Sequence, residues 1–437
     1  MTMTIRISIT TLLFLVCTYA SAQTDTSSGL PFASAERVEQ RIRELSAFGK
    51  NPQGGVSRVA FSQHDIDGRQ YIRSLMTRAG LEVRIDAAGN LIGSKEGQES
   101  LPPIMLGSHI DSVPGGGNYD GDVGVIGALE VAQLLHENRL MTRHPLEFVV
   151  FSDEEGGLTG SRAMVGKLDA AALKEMSHSG MTIAEGIRAI GGDPGKLSES
   201  RREAGDITAF VELHIEQGAI LDEEGIDIGV VTGIVGIQWW EIVVEGMANH
   251  AGTTPMNKRR DAMLSAAELV LGVNEIITSV PGSQVGTVGS ISAEPGAPNV
   301  IPGKVRMSLE IRDLSNTTIW SMFGKIKERA AEIATRQGTS ITFTHNAVDA
   351  EPALTDPGIR KLISESASTL GLSQQLMPSG AGHDAQDLAQ ITPTGMVFVP
   401  SVGGISHSPD EFTAPEDIAN GANVLLHTVW AIDQSRE

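Results

Sequence analysis

Four short apolar runs in this chain are each placed shortly before candidate histidine or carboxylate ligands. The runs are 104–106, 146–151, 210–215 and 396–399, and each predicts a buried strand. Helical patterns alternate with these strands, which predicts an α/β fold with a mixed sheet. Such sheets bind ligands at the carboxyl ends of their strands. The polar residues that follow the runs are therefore expected to meet at one edge of the sheet.

The polar segment after the first run is the most informative one. It consists of Gly107-Ser108-His109-Ile110-Asp111, three glycines at 115–117, and Tyr119-Asp120-Gly121-Asp122. An imidazole and several carboxylates on a flexible turn are the groups with which a hydrolase holds metal ions. Three further clusters supply the same residue types: Asp153-Glu154-Glu155, His214-Ile215-Glu216-Gln217 and Gly403-Gly404-Ile405-Ser406-His407.

Composition excludes several classes of function. With 54 acidic and 33 basic residues, the formal net charge is -21, which disfavours nucleic acid and anionic membrane surfaces as partners. The only cysteine is Cys17, so the chain beyond it has neither a disulfide nor a thiol nucleophile. Stability is therefore expected to come from the core and from any bound metal.

Residues 1–22 predict a cleavable signal peptide. Residues 7–19 are apolar but too few to span a membrane, and Ala20-Ser21-Ala22 fits a signal-peptidase site. A membrane-anchoring N-terminus is the alternative. No other apolar run approaches the length of a membrane span. We therefore expect a secreted or periplasmic protein whose mature form has no membrane anchor.

The length of 437 residues predicts two or three domains. Between residues 232 and 345 the predicted elements follow the order β-α-β-β-α-β, with one strand expected at 284–291. This order is typical of a ferredoxin-like unit. It predicts a catalytic domain in two parts, 28–231 and 346–437, with 232–345 inserted between them. In the first part, a helix is predicted at 122–140, with Asp120 or Asp122 capping its start.

The motifs taken together resemble one enzyme family. Besides the clusters above, they are Glu212-Leu213-His214-Ile215-Glu216-Gln217-Gly218, Asn249-His250-Ala251-Gly252-Thr253-Thr254-Pro255-Met256, Gly380-Ala381-Gly382-His383-Asp384-Ala385 and Val399-Pro400-Ser401-Val402-Gly403-Gly404-Ile405-Ser406-His407-Ser408-Pro409. Their order is similar to that in the dimetal amidohydrolases. This family includes N-carbamoyl-L-amino-acid hydrolases, allantoate amidohydrolases and β-ureidopropionases, within the aminoacylase and carboxypeptidase superfamily. The resemblance covers nearly all of the predicted mature chain.

The resemblance implies two divalent metal ions. It places Asp120 between the ions, His109 and His214 at one of them, and Glu155 and His407 at the other. Zinc is the expected metal, with manganese, cobalt or nickel as alternatives, because imidazole and carboxylate ligands suit all four. Two cations that share a carboxylate can hold a hydroxide at neutral pH, which would be the nucleophile.

The same resemblance implies how protons move and which residues contact the substrate. Glu154 would be the general base that passes a proton from the bridging water to the leaving nitrogen. Asp111 would orient an imidazole ligand, whereas no role is predicted for Asp153. The implied substrate contacts are Gln217, His250, Asn299, Arg312 and His383.

Two of these contacts carry further expectations. The planar fork of Arg312 can pair both oxygens of a substrate carboxylate, although an outward-facing strand residue is the alternative. His250 would stabilise the developing oxyanion. In relatives this histidine often comes from the partner subunit. The resemblance therefore implies a homodimer in which residues 232–345 form a lid and dimerisation domain.

One departure from the family pattern concerns the loop after the paired glutamates. Relatives commonly carry Ser-Arg-Phe there, whereas this chain has Gly160-Ser161-Arg162-Ala163 after a shorter loop, which affects the shape of the pocket. The resemblance implies hydrolysis of the C–N bond of N-carbamoyl (ureido) L-amino acids or related small ureido acids. The alternatives are an allantoate amidohydrolase, a peptidase- or aminoacylase-type relative, and a metal- or ureide-binding protein without turnover.

Overall fold

Two β-sheets with packed helices organise the computed structural model, which describes residues 29–346 and 350–435. The predicted signal peptide lies outside these ranges. The helices are α1 (Ala35–Leu45), α2 (Gln63–Arg78), α3 (Asp122–Glu137), α4 (Glu154–Gly157), α5 (Thr159–Met164), α6 (Ile183–Ala189), α7 (Ile220–Glu224), α8 (Ala262–Thr278), α9 (Asn316–Gln337), α10 (Pro357–Thr369), α11 (Asp384–Leu388) and α12 (Pro415–Gln434). The strands are β1 (Glu82–Ile85), β2 (Leu91–Lys95), β3 (Ile104–His109), β4 (Leu146–Phe151), β5 (Ala209–Ile215), β6 (Ile228–Ile234), β7 (Gly236–Glu245), β8 (Asn249–His250), β9 (Val285–Thr287), β10 (Ile291–Glu294), β11 (Val300–Ile301), β12 (Lys304–Asp313), β13 (Ser340–Asn346), β14 (Ala353–Leu354), β15 (Gln374–Ser379) and β16 (Thr394–Val399).

The larger sheet has nine strands in the described ranges. Their order is β1-β2-β4-β3-β5-β16-β6-β14, with β15 paired to β6. β3 is parallel to β4 and β5, and β5 is parallel to β16. β2 and β6 instead pair antiparallel with β4 and β16. The predicted α/β fold with a mixed sheet is therefore confirmed.

The four central strands bring the polar clusters to one place. Every residue of β3, β4, β5 and β16 is buried, as expected for strands covered on both faces. Because these strands are parallel, their carboxyl ends share one edge of the sheet. His109 ends β3, Glu154 and Glu155 follow β4, His214 lies near the end of β5, and His407 follows β16.

The predicted carboxylate cap of α3 is wrong. The helix begins after Gly121, which has a φ of 67°, and no described side chain forms a capping hydrogen bond there. The carboxylate of Asp122 pairs instead with the fully buried guanidinium of Arg58. A β-carbon on Gly121 would collide with the ring of His109. Glycine is needed at this position because it tolerates the positive φ and leaves room for the imidazole.

The smaller sheet has five strands between residues 236 and 346. Their order is β10-β12-β7-β13, with β9 paired to β12, and all pairings are antiparallel. α8 and α9 pack with this sheet around a separate hydrophobic core. The single strand expected at 284–291 is wrong. Thr287 pairs with Glu310, and Ile291 pairs with Met307. The two residues on this segment are four positions apart, whereas their partners on β12 are three positions apart. One extra residue therefore interrupts the pairing and divides the segment into β9 and β10.

The chain passes from the larger to the smaller sheet between Ile234 and Gly236, and the last strand of the smaller sheet ends at Asn346. The domain limits at 232 and 345 stay a prediction. Of the helices in the described ranges, none combines the length and the apolar character that a membrane span needs.

Candidate active site

Two groups of possible metal ligands share one carboxylate. Donor atoms of His109, Asp120 and His214 lie within 4.8 Å of one another, and so do those of Asp120, Glu155 and His407. Nε2 of His214 is 3.1 Å from Oδ1 of Asp120, and Nε2 of His407 is 3.0 Å from Oδ2. The two oxygens of Asp120 thus face different groups, as a bridging carboxylate requires.

The donor atoms fit divalent cations. Nε2 of His214 and Oε1 of Glu155 are buried and form no hydrogen bond with any residue in the described ranges. Buried polar atoms without a partner are rare unless an ion or a water satisfies them. Imidazole nitrogens and carboxylate oxygens suit zinc, manganese, cobalt and nickel. Both groups can therefore hold a metal ion.

Backbone carbonyls orient the two buried imidazoles. Nδ1 of His109 donates to the carbonyl oxygen of Asp111 at 3.0 Å, and Nδ1 of His214 donates to that of Ile215 at 2.9 Å. Each Nδ1 therefore carries the ring proton. This tautomer leaves the lone pair of Nε2 free for a cation.

The turn that carries the paired glutamates is held on two sides. The carboxylate of Asp111 accepts the backbone N–H groups of Glu154 and Glu155 at 3.2 and 3.1 Å. The carboxylate of Asp153 accepts the hydroxyl of Thr159 at 2.6 Å, and its backbone has a φ of 55°. Such left-handed backbone costs about 1 kcal/mol or more at a non-glycine residue. Asp153 therefore shapes the turn, a role that was not predicted.

Acidic side chains are crowded at this turn. Oε2 of Glu154 is 3.7 Å from Nε2 of His109. Burial, followed by the charge of Glu155, raises the pKa of Glu154 well above its usual range. Burial, followed by the charge of Asp120, raises the pKa of Glu155 to about 8. Buried carboxylates that repel one another are stabilised by nearby positive charge, so the arrangement favours cations here.

A cleft of about 280 Å³ opens beside the ligand groups. Among the predicted substrate contacts, Gln217, Arg312 and His383 line it, together with the apolar side chains of Leu158 and Ile237. Nε2 of Gln217 donates to Asp120 at 2.8 Å. The structure therefore places three of the five predicted contacts next to the possible metal ligands.

Arg312 reaches the cleft from the smaller sheet, and His383 from the segment between β15 and α11. Nη1 of Arg312, on β12, donates to the carbonyl oxygen of Gly380 at 2.8 Å, and its Nε donates to Glu310 at 2.7 Å. Nε2 of His383 lies 2.8 Å from the hydroxyl of Ser379. Nδ1 of His383 is buried and has no hydrogen-bond partner in the parts of the chain that the structure describes. The described residues therefore leave this nitrogen without the partner that a buried polar atom needs.

His250 and Asn299 do not line this cleft. Both are exposed: His250 lies on β8 and Asn299 directly precedes β11, and the N–H of Ala251 donates to the carbonyl oxygen of Asn299. Nδ1 of His250 accepts the N–H groups of Gly252 and Thr253 at 2.9 and 3.2 Å. The ring proton must therefore sit on Nε2, which makes His250 a hydrogen-bond donor toward any other group.

A model of peptidase family M20/M25/M40 matches residues 105–431. The chain belongs to this family. It is 42% identical over 405 residues to N-carbamoyl-L-amino acid amidohydrolase from Geobacillus stearothermophilus, covering 91% of this chain and 98% of that one. It is 40% identical over 408 residues to ureidoglycolate hydrolase from Arabidopsis thaliana, covering 90% and 86%. The crystal structure of an amidase of the hydantoinase/carbamoylase family from Burkholderia multivorans superposes with a TM-score of 0.87 at 35% identity, covering 93% and 99%. The family resemblance inferred from the motifs is therefore confirmed.

Two buried glutamates of this M20 chain were missed as site residues. Glu212 accepts the hydroxyl of Ser108 at 2.8 Å and the N–H of Ala385 at 3.1 Å, next to His214. It lies two residues before His214 on β5, so the two-residue period of the strand was a usable signal. Glu411 accepts the N–H of Asp120 at 3.0 Å. It follows the last motif in a segment without periodicity, and no comparable signal marks it.

Proposed function

We propose that the chain hydrolyses the C–N bond of N-carbamoyl L-amino acids, or of closely related small ureido acids, with two divalent cations. The observation that carries this proposal is the single cleft that Arg312, Gln217 and His383 line together with Asp120. In such a cleft Arg312 could pair with the carboxylate of a substrate, and Gln217 and His383 could hydrogen-bond its ureido group. Both contacts would lie beside Asp120, the possible bridging ligand. The names of the Geobacillus and Arabidopsis relatives support ureido acids as the substrate class.

The cation ligands are proposed from the two groups that share Asp120. His109 and His214 would hold one ion, and Glu155 and His407 the other. When bound, the ions supply an activated water at neutral pH and polarise the ureido carbonyl. Zinc is proposed, with manganese, cobalt and nickel as alternatives.

The side chains of the cleft would carry out the remaining tasks. The carboxylate of Glu154 would take a proton from the attacking water and deliver it to the leaving nitrogen. Gln217 and His383 would hydrogen-bond the ureido group, and Arg312 would pair with the substrate carboxylate. The products would be ammonia, carbon dioxide and the free amino acid.

We propose that the protein is a homodimer and that β7 to β13 form its ferredoxin-like lid and dimerisation domain. The strand order β10-β12-β7-β13 with two helices supports the ferredoxin-like assignment. Because His250 and Asn299 are exposed and away from the cleft of their own chain, we propose that they complete the cleft of the partner. His250 would donate Nε2–H to the developing oxyanion.

Export to the periplasm or the medium is proposed from the signal peptide predicted at residues 1–22. N-terminal sequencing of the exported protein tests this location. A first residue of Gln23 is the expected result, and an uncleaved N-terminus would contradict it.

A substrate screen tests the proposed activity. Protein stripped of metal and reloaded with zinc, manganese, cobalt or nickel is offered carbamoyl amino acids, allantoate, ureidoglycolate, N-acyl amino acids and dipeptides. Ammonia and free amino acid should appear with carbamoyl substrates, and stripped protein should be inactive until metal is restored. Turnover that persists without metal would contradict the mechanism. Turnover of dipeptides alone would contradict the substrate class.

Arg312→Lys should raise KM for a carbamoyl amino acid about 10- to 100-fold, with a smaller change in kcat. Lysine keeps the charge but cannot pair both carboxylate oxygens. Steady-state kinetics measures the effect. Arg306→Lys is the matched control, because Arg306 lies on the same strand, pairs with Glu241 at 3.1 Å and does not line the cleft. Equal KM values for the two variants would contradict the assignment.

A further inference from the structure

We propose that Glu411 is a positioning residue for the second ligand group, formed by Asp120, Glu155 and His407. This inference rests on the proposed pair of cations and adds a residue to which none of the motifs assigns a role. Glu411 is only 3% exposed, although it lies in the loop between β16 and α12.

The carboxylate of Glu411 joins two distant segments that supply ligands. Its Oε1 accepts the backbone N–H groups of Tyr119 and Asp120 at 2.8 and 3.0 Å. Its Oε2 accepts the hydroxyl of Ser406 at 2.9 Å and the backbone N–H of His407 at 3.2 Å. All four contacts are donated to the carboxylate, so both oxygens must be acceptors.

Local geometry shows why this support is needed. His407 has a left-handed backbone with a φ of 53°, which costs about 1 kcal/mol or more unless the surroundings enforce it. The bond from its N–H to Glu411 closes the turn and holds that conformation. A β-carbon on Gly117 would collide with the Glu411 side chain, so the glycine run leaves room for this carboxylate.

The two ligand groups differ in their dependence on Glu411. The side chains of His109 and His214 are 1% exposed, and the backbone carbonyls of Asp111 and Ile215 orient them. The side chain of His407 is 49% exposed, so packing constrains it less. Loss of the Glu411 contacts should therefore loosen the second group and leave the first largely intact.

Glu411→Gln tests this selectivity with almost no change of shape. The amide nitrogen of glutamine must face one of the two donor pairs, where it cannot accept a hydrogen bond. We expect the second cation to bind about 10- to 100-fold more weakly, and the first to be weakened less, because it shares Asp120 but keeps two buried imidazole ligands. Zinc titration calorimetry on stripped protein measures both affinities. Metal content after gel filtration should be two ions in the native protein and one in the variant.

Two further variants separate positioning from general stability. Asp410→Asn changes the adjacent exposed carboxylate and should retain both ions. Ser406→Ala removes one of the four donors and should weaken mainly the second ion, by less than Glu411→Gln does. If Glu411→Gln does not fold, the zinc titration of Ser406→Ala tests the inference instead. Normal binding of both ions by Ser406→Ala would then overturn the inference.

The outcomes also distinguish this inference from the proposed function. Native protein that fails to bind two ions would overturn the proposed function itself. Two ions in the native protein, with both affinities unchanged in Glu411→Gln, would overturn only the inference about Glu411. Equal weakening of both ions would likewise overturn it, because a general loss of structure would act on both groups.

Discussion

Glu154→Gln should lower kcat on the best carbamoyl substrate about 100- to 10,000-fold without changing the number of bound cations. Glutamine has nearly the same shape but cannot take up the proton of the attacking water. The contact from the backbone N–H of Glu154 to Asp111, which holds the turn, does not involve the exchanged group. Single-turnover kinetics and metal analysis of the same sample measure both parts of this expectation.

Glu175→Gln is the control for this substitution, because Glu175 is an exposed glutamate away from the cleft. It should retain the native rate. A native rate in Glu154→Gln would show that another group moves the proton. Loss of a cation in that variant would instead identify Glu154 as a ligand.

His250→Ala should lower kcat about 100- to 1,000-fold, the usual effect of removing one oxyanion donor. The reason is that Nδ1 of His250 accepts two backbone N–H groups, so the ring can offer only Nε2–H to a substrate. His178→Ala, at an exposed histidine outside every motif, should have no effect. Equal kcat values for His250→Ala and His178→Ala would show that His250 does not stabilise the oxyanion.

Mixed dimers test whether the donor crosses between subunits. One chain carries Glu154→Gln and the other His250→Ala, with different affinity tags for purification. If the partner subunit's His250 completes each cleft, both defects fall on one site and the other site is native. Such dimers should show about half of the native activity. If His250 serves its own chain, both sites are defective and the mixed dimer stays inactive.

Local patterns predict much of the fold and of the site. Continuous apolar runs indicate strands buried on both faces. The run at 146–151 has the bounds of β4. Several motifs that contain site residues follow the central strands β3, β4, β5 and β16. The family resemblance assigned His109, Asp120, His214 and His407 as ligands, and the structure brings them together.

The features that the sequence did not predict depend on contacts between residues far apart in the chain. Asp120 or Asp122 was expected to cap α3, yet the carboxylate of Asp122 pairs with Arg58, which is 64 residues away. Glu411 contacts the N–H of Asp120 across a separation of 291 residues. The spacing of apolar residues in the sequence indicates which positions are buried, but tertiary packing determines which group a polar side chain contacts. For the same reason the sequence pattern at 284–291 could not indicate the extra residue between β9 and β10.

The place of β16 has a consequence for biosynthesis. This strand is made long after β5 and β6, yet it lies between them and completes the middle of the sheet. Until it leaves the ribosome, the nascent chain exposes two unpaired strand edges, which are sites for aggregation. Chaperone protection during this interval matters more for such a topology than for a sheet assembled in sequence order.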